Sequence, residues 1–563
     1  MTAEACDICC VLRRRAAHHS GESPLRKGDG AALVLRFCPL NADWSKQRFE
    51  RTRAALDNVP PDSPSKSQTG ASLAMRVAKS AGWIVGGRVI MGLFGFLNTI
   101  IVARLLVPDD FGIVAIGLTT MQILTNLSDI GVSQAVIKFR DADRADLDTL
   151  FSLSAIRGAV IAALLAAAAP FAAAFYGDPR VFWVFLGVAA YPLLTGFINP
   201  RFYEFERLLD YSKEFIAAVA NKLAGVIVSI AIAVVFRSYW AIIFGLATNG
   251  LVQLILSYAM RPYRPRISFA SLRRVLSFSG WLTGVGLMSA LNNKLDPLVL
   301  ARAVGVGGAG HYFMGLQLAE LPTREIAFPA TRAIYPGLSE LQGDPARANQ
   351  AFLKGVEAMA AIATPAAIGF ALVARDLVPL LLGDKWRDAV PVVEIITPVM
   401  GLQMPLLATQ YYAMALGSTR LVFLRELLFF LVRTPIFIWA AVAHGLVGAA
   451  WAVAACGLLH IVLNLALYSR TGKDAFWRPI WRIRRSIGAA AAMIAALLTA
   501  RISGTGGDWP VVAQVAAEIA LGALAYVGCH LLLWACEKRP DGVERMIAEL
   551  AAPFLSKIAR RPR

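Results

Sequence analysis

The chain has 563 residues, 57% of them hydrophobic and 17% charged, with a mean hydropathy of +0.57. Soluble domains carry about a quarter charged residues, so this balance excludes an ordinary water-soluble enzyme or binding module. The formal net charge of +18 would suit nucleic acid, but the basic residues recur in short clusters between long apolar runs and form no patch with interleaved aromatics. Nucleic acid is therefore excluded as a partner, and a membrane solvent remains.

Residues 1–74 read as a disordered polar cytoplasmic extension. They carry Arg13, Arg14 and Arg15, Pro60 and Pro61, and Ser-rich turns, and they lack the apolar core of a cleavable signal. An overlong start with Met75 as the true beginning would read the same way. Cys6, Cys9 and Cys10 with His18 and His19 have no second ligand pair at zinc-finger spacing, so no metal site is expected.

A helix needs about 20 apolar residues to cross a hydrocarbon core roughly 30 Å thick. Such runs begin after Lys79, at 82–105, 111–137, 151–175, 181–203, 214–236, 239–260, 276–303, 310–334, 356–382, 390–416, 421–443, 446–469, 486–502 and 511–535. The expected fold is thus an all-α polytopic membrane protein of about 14 transmembrane helices. Basic residues cluster after the even-numbered runs, from Lys138, Arg140 and Arg144 to the Arg470–Arg485 group, and thin out after the odd ones. By the positive-inside rule both termini are cytoplasmic.

The chain also repeats itself. Offset by 198 residues, Gly82-Trp83 falls on Gly280-Trp281, Gly86 on Gly284, Leu93 on Leu291, Ala103-Arg104 on Ala301-Arg302, Gly112 on Gly310 and Gly117 on Gly315. The first run therefore maps onto the seventh, and six intervening runs keep both copies in one orientation, the parallel kind of transporter repeat. The implied organisation is a six-helix lobe over 75–260, a second over 261–470, two extra C-terminal helices over 471–536, and a basic tail over 537–563.

Polar groups at membrane depth mark what lines the space between lobes. Arg88 lies inside the first run, as a cleft-facing cation or as a partner of Asp129. The seventh run holds Asn292, Asn293, Lys294 and Asp296, with Asn292 and Asp296 on one helix face at i, i+4. The eighth holds Glu320 and Arg324 at the same spacing. Arg425, Glu426 and Arg433 in the eleventh read as self-compensating local pairs. If the substrate bears a pyrophosphate, Arg88, Lys294 and Arg324 would meet it, Asn292 would meet sugar hydroxyls, and Asp296 and Glu320 would titrate or hold a coupling H+ or Na+. Walker loops, zincin pairs and nucleophile elbows are missing from the apolar body, so a transporter rather than an enzyme is expected, with no cofactor.

Leu106-Val107-Pro108-Asp109-Asp110-Phe111-Gly112 resembles the first hairpin of the polysaccharide transporter families. Asn292-Asn293-Lys294-Leu295-Asp296 with Gly310-His311-Tyr312, and Tyr335-Pro336-Gly337-Leu338-Ser339, resemble their seventh and eighth spans. The likeness runs over about 75–500 and is to the polysaccharide or O-unit flippases of the multidrug/oligosaccharidyl-lipid/polysaccharide exporter superfamily. It implies alternating access around a cationic cleft in the bacterial inner membrane. The implied substrate is an oligosaccharide repeat unit on undecaprenyl diphosphate, destined for exopolysaccharide, capsule or lipopolysaccharide. A polymerase or export machinery would be the partner, and two homologous lobes make a monomer mechanistically sufficient. The rivals are a cation-coupled multidrug antiporter, a flippase for the peptidoglycan precursor, and, from another class, a membrane-embedded polymerase.

Overall fold

The computed structural model describes residues 90–128, 143–207, 211–272, 280–340, 344–472, 474–503 and 509–537. The N-terminal extension, Arg88, Asp129 and residues 538–563 of the tail lie outside the described residues. Within them the structure is helical with no strand. A helix satisfies every backbone polar group internally, as hydrocarbon demands. The helices are α1 (Ile90–Leu105), α2 (Pro108–Leu127), α3 (Arg144–Tyr176), α4 (Arg180–Gly196), α5 (Tyr211–Phe236) and α6 (Trp240–Met260). Then follow α7 (Gly280–Lys294, continued by Asp296–Ala303), α8 (Gly305–Glu340), α9 (Pro345–Leu382) and α10 (Val390–Gln403, a 3-10 turn Met404–Leu407, and Ala408–Ala415). The segment Thr419–Gly472 folds into α11 (419–444) and α12 (446–472), and α13 (Arg478–Ile502) and α14 (Val511–Cys536) complete the set. Among the described residues nine helical segments are long and apolar enough to cross a membrane. Their outer faces expose Phe171, Val442 and Leu524 by 70% or more. Lipid accepts such an apolar exterior, and water does not.

Where helix ends differ from the sequence expectation, a residue explains why. The expected run 276–303 is two helices, because Pro297 has no N–H to give the preceding turn. The run 181–203 stops at Gly196, and Pro200 starts a separate 3-10 turn capped by Asn199, whose side chain accepts from Arg201 N. Conversely α3 starts seven residues before the predicted 151, where Asp143 N donates to Asp146 Oδ2 in a capping box. The early turns of α3 anchor the connection between the halves: Asp148 Oδ1 accepts from Arg266 N at 2.9 Å and from the Tyr263 hydroxyl at 2.5 Å. Straight, the 54 residues of Thr419–Gly472 would run ~81 Å. Gly445 turns them back at φ 64°, ψ −145°, a backbone conformation that glycine tolerates. That turn falls between the two runs read from the sequence.

Helices α1–α6 and α7–α12 meet most closely at the crossing of α2 and α8. A Cβ on Gly112 would overlap the Val306 carbonyl oxygen, and one on Gly310 would overlap that of Pro108. Pro108 and Val306 are themselves 198 residues apart, so each half of this contact is the pseudo-two-fold image of the other. The Gly112–Gly310 pairing read from the sequence is therefore a contact in the packing. Beside the crossing, Arg104 donates to the Leu380 and Leu381 carbonyls at the end of α9, at 2.5 and 2.8 Å. Its repeat partner Arg302 lies over the Phe175 ring near the end of α3, 5.6 Å from the centroid. Lys385 Nζ reaches the Arg104 and Leu106 carbonyls, and the buried Trp386 donates to Ala103 O at 2.9 Å. These hydrogen bonds between α1–α6 and α7–α12 lie on one face, the one that the charge pattern leaves sparsely basic.

α13 packs on α9, where Arg485 pairs with Glu357. Asp474, in the connection before α13, ties three helices together. It accepts from Asn349 at 2.7 Å, Tyr468 at 2.9 Å and Arg478 at 2.5 Å, and from Ala475 N at 2.8 Å. Burial pushes its carboxyl up, but these bonds outweigh burial and hold it at about 2 against an ordinary 3.8. A depressed folded value means that this contribution is complete above the unfolded value and is lost as pH falls toward the folded one. Detergent-solubilised protein is therefore expected to lose thermal stability between about pH 4 and about pH 2, and Asp474→Asn is expected to flatten that part of the profile. An unchanged slope in the variant would place the acid sensitivity elsewhere.

Candidate functional site

α7, α8, α10, α11 and α12 enclose a cavity of about 440 Å³. Its wall mixes Leu316, Ile396, Met400 and Phe429 with Asn292, Asp296, Glu320, Gln403, Gln410, Glu426, Arg433 and His460. Two buried ion pairs hold it. Arg433 Nη2 lies 2.5 Å from Asp296 Oδ2, and the fully buried Tyr312 donates to the same oxygen at 2.7 Å. Arg425 Nη2 donates to Glu426 Oε1 at 2.9 Å and to Gln410 Oε1 at 3.2 Å. Arg425 Nη1 donates to Asn464 Oδ1 at 2.7 Å and lies 2.9 Å from His460 Nε2. A guanidinium can only donate, so that ring nitrogen is an acceptor and this imidazole is neutral. Asn292 Nδ2 closes the set by donating to Glu426 Oε2 at 3.0 Å and to Glu426 O at 3.2 Å.

Local sequence explains why these groups meet. On α11, Arg425, Phe429, Arg433 and Phe437 recur every four residues, and all four are buried. Two arginines on the inward stripe of a bilayer helix require buried partners. On α7, Asp296 supplies the partner of Arg433, and Asn292 on the same face donates to Glu426, the partner of Arg425. Each ion pair has surrendered several kcal/mol of hydration per ion, and breaking one by removing a partner costs about 3–5 kcal/mol. Asn292 Oδ1 and Asp296 Oδ1 are buried and accept no hydrogen bond. They stand ready to accept from a hydroxyl or to meet a small cation or proton.

The six residues singled out from the sequence fall differently. Asn292, Asp296 and Glu320 line this cavity together. Lys294 is half-buried at the break in α7 and is not part of the lining. Arg324 lies on α8, but its side chain is outside the described residues, as is Arg88 altogether. Arg425 and Glu426 do form the local pair expected of them. Arg433 does not: its partner Asp296 is 137 residues away. The four-residue stripe on α11 was the available signal for an inward-facing arginine.

Buried ion pairs inside a bundle of apolar helices, with a self-symmetric glycine crossing of α2 and α8, define a polytopic membrane protein of the transporter type. The fold is shared with a lipid II flippase, MurJ, in its inward closed conformation: TM-score 0.62 at 12% identity, covering 80% of this chain and 99% of that one. Residues 101–391 match the polysaccharide biosynthesis protein family, and the chain belongs to that family. It is similar to the lipopolysaccharide biosynthesis protein WzxC of Escherichia coli K12, 26% identical over 339 residues, 59% of this chain and 68% of the relative. It is also similar to the succinoglycan biosynthesis transport protein ExoT of Rhizobium meliloti, 23% identical over 476 residues, 82% of this chain and 93% of the relative.

Proposed function

We propose that this chain is a flippase that carries an undecaprenyl-diphosphate-linked oligosaccharide repeat unit across the bacterial inner membrane by alternating access, for exopolysaccharide, capsule or lipopolysaccharide assembly. The observation that carries the proposal is the hydrogen-bonded, charged cavity inside apolar helices, in a chain whose family and relatives serve polysaccharide biosynthesis. Charge buried this deeply is costly to keep without use. In this reading the chain crosses the membrane about 14 times with both termini cytoplasmic, in lobes bounded as the repeat suggests, as a transporter without enzymatic chemistry and acting as a monomer. The α2–α8 crossing and the Arg104, Lys385 and Trp386 contacts then close the periplasmic face.

Arg88, Lys294 and Arg324 are assigned to the diphosphate, and Asn292, whose Oδ1 has no donor, to sugar hydroxyls. Asp296 and Glu320 are assigned to H+ or Na+ coupling, with the Arg433 pair as the element that a bound cation or proton would loosen. A polymerase on the periplasmic face would take the product. The test is the leaflet occupied by lipid-linked saccharide in cells depleted of the chain: accumulation on the cytoplasmic leaflet is expected. Without any accumulation, the reading falls.

A further inference from the structure

Arg157 is a further arginine placed inside the bundle, on α3, away from the cavity already described. It lies nine residues beyond Asp148, so ~14 Å further into the membrane than the point where the connection between the halves binds α3. By the charge pattern that depth is in the cytoplasmic leaflet. Arg157 Nε donates to Ser128 Oγ at 3.1 Å and Nη2 donates to Thr125 O at 2.8 Å, holding the guanidinium at the last turn of α2.

Two spaces of opposite character meet at this side chain. On one side is a groove of about 270 Å³ between α2 and α3, walled by Leu127, Ile156, Val160 and Leu164. These four are 47–50% exposed, on the lipid-facing surface. On the other side is a half-open cavity of about 260 Å³ with hydroxyl and amide groups from Thr125, Ser154, Tyr191, Tyr203 and Gln253. Arg157 and Ile161 line both. Tyr203 and Gln253 also line a third space, of about 250 Å³, beside Asn221 and Glu214. Capping α2 accounts for the two hydrogen bonds. It does not account for an apolar groove open to lipid that ends on a guanidinium, with a hydroxyl-lined chamber behind it.

Resting on the transport reading above, we propose that this is an entry site for the lipid-linked saccharide from the cytoplasmic leaflet. The isoprenoid chain lies in the α2–α3 groove, the diphosphate meets Arg157, and the first sugar enters the chamber of Tyr191, Tyr203 and Gln253. A guanidinium matches phosphate oxygens in a bidentate fork, and clustered hydroxyls and amides suit sugar hydroxyls. The three chemistries of the site follow the order of the three parts of such a lipid.

The probe is undecaprenyl diphosphate, titrated against the purified chain in nanodiscs of zwitterionic phospholipid and read by native mass spectrometry, with phosphatidylglycerol as the comparison lipid. A charge-assisted hydrogen bond lost from a desolvated site weakens binding by roughly 10- to 100-fold, which is the expectation for Arg157→Gln, with Arg157→Lys in between. Val160→Trp fills the groove while leaving Arg157 and its hold on α2 intact. It is expected to weaken undecaprenyl diphosphate in the same direction and to leave phosphatidylglycerol binding unchanged. Wild-type affinity in both Arg157→Gln and Val160→Trp overturns the site, even if the chain transports. An equal loss of phosphatidylglycerol in both variants also overturns it, by making the groove an ordinary anionic-lipid contact. No binding by the wild type, together with no accumulation in depleted cells, overturns the transport reading and this site with it.

Discussion

Replacing Arg433 by Leu is expected to destabilise the chain by about 3–5 kcal/mol, because Asp296 would keep its charge among apolar helices without its partner. Tyr312 would remain as a donor to Asp296, but one neutral hydroxyl cannot replace a guanidinium 2.5 Å away. The pair Asp296→Asn with Arg433→Gln removes both charges together and is expected to recover most of that loss. Thermal unfolding in detergent separates the two cases. In the proposed mechanism both variants lose transport, since α7 and α11 no longer respond to a coupling ion. A single variant as stable as the wild type would show that Asp296 and Arg433 are not energetically coupled. A double variant that transports normally would remove the pair from the mechanism.

The second large effect is expected at Gly310. A side chain there meets the Pro108 carbonyl, which is backbone and cannot turn aside, so α2 and α8 must part. Gly310→Val is therefore expected to disfavour the arrangement in which the sparsely basic face is closed. A bias of only 1.4 kcal/mol changes the population tenfold, so transport should fall by more than about that factor. A cysteine at the fully buried Ala309 gives the direct readout. It is expected to resist a membrane-impermeant maleimide added from the periplasm, and to react once Gly310→Val is added. Continued protection with normal transport would mean that the glycine crossing is not the closing contact. Gly112→Val is expected to behave alike, because the contact is its own pseudo-symmetric image.

Hydropathy carried most of the helix positions, because lipid imposes one rule along the whole chain. Each apolar run meets a helix in the described residues, and the Gly112–Gly310 register read from the repeat is the closest approach between the halves. What the sequence did not disclose depends on partners from distant helices. Asn292 and Asp296 were legible as a polar face at i, i+4, but their partners Glu426 and Arg433 were not, since nothing in α11 says which neighbour its arginines face. Lys294 stands two residues before Asp296 yet outside the cavity lining, because residues at i and i+2 on a helix do not share a face. Arg157 stood in an Ala- and Leu-rich run with no charged neighbour at helical spacing to single it out. Only the packing of α2 against α3 gives it a groove on one side and a chamber on the other.

The most direct measurement of the central claim is the leaflet distribution of undecaprenyl-linked saccharide, with and without the chain. Cells are depleted, the lipid-linked saccharides extracted and their leaflet assayed by an impermeant glycan-modifying reagent. The account predicts accumulation on the cytoplasmic leaflet, relieved by the wild type and not by Arg433→Leu combined with Arg157→Gln. If no lipid-linked saccharide accumulates and the depleted cells instead become sensitive to cationic dyes, the chain exports drugs rather than saccharide, and the account is contradicted.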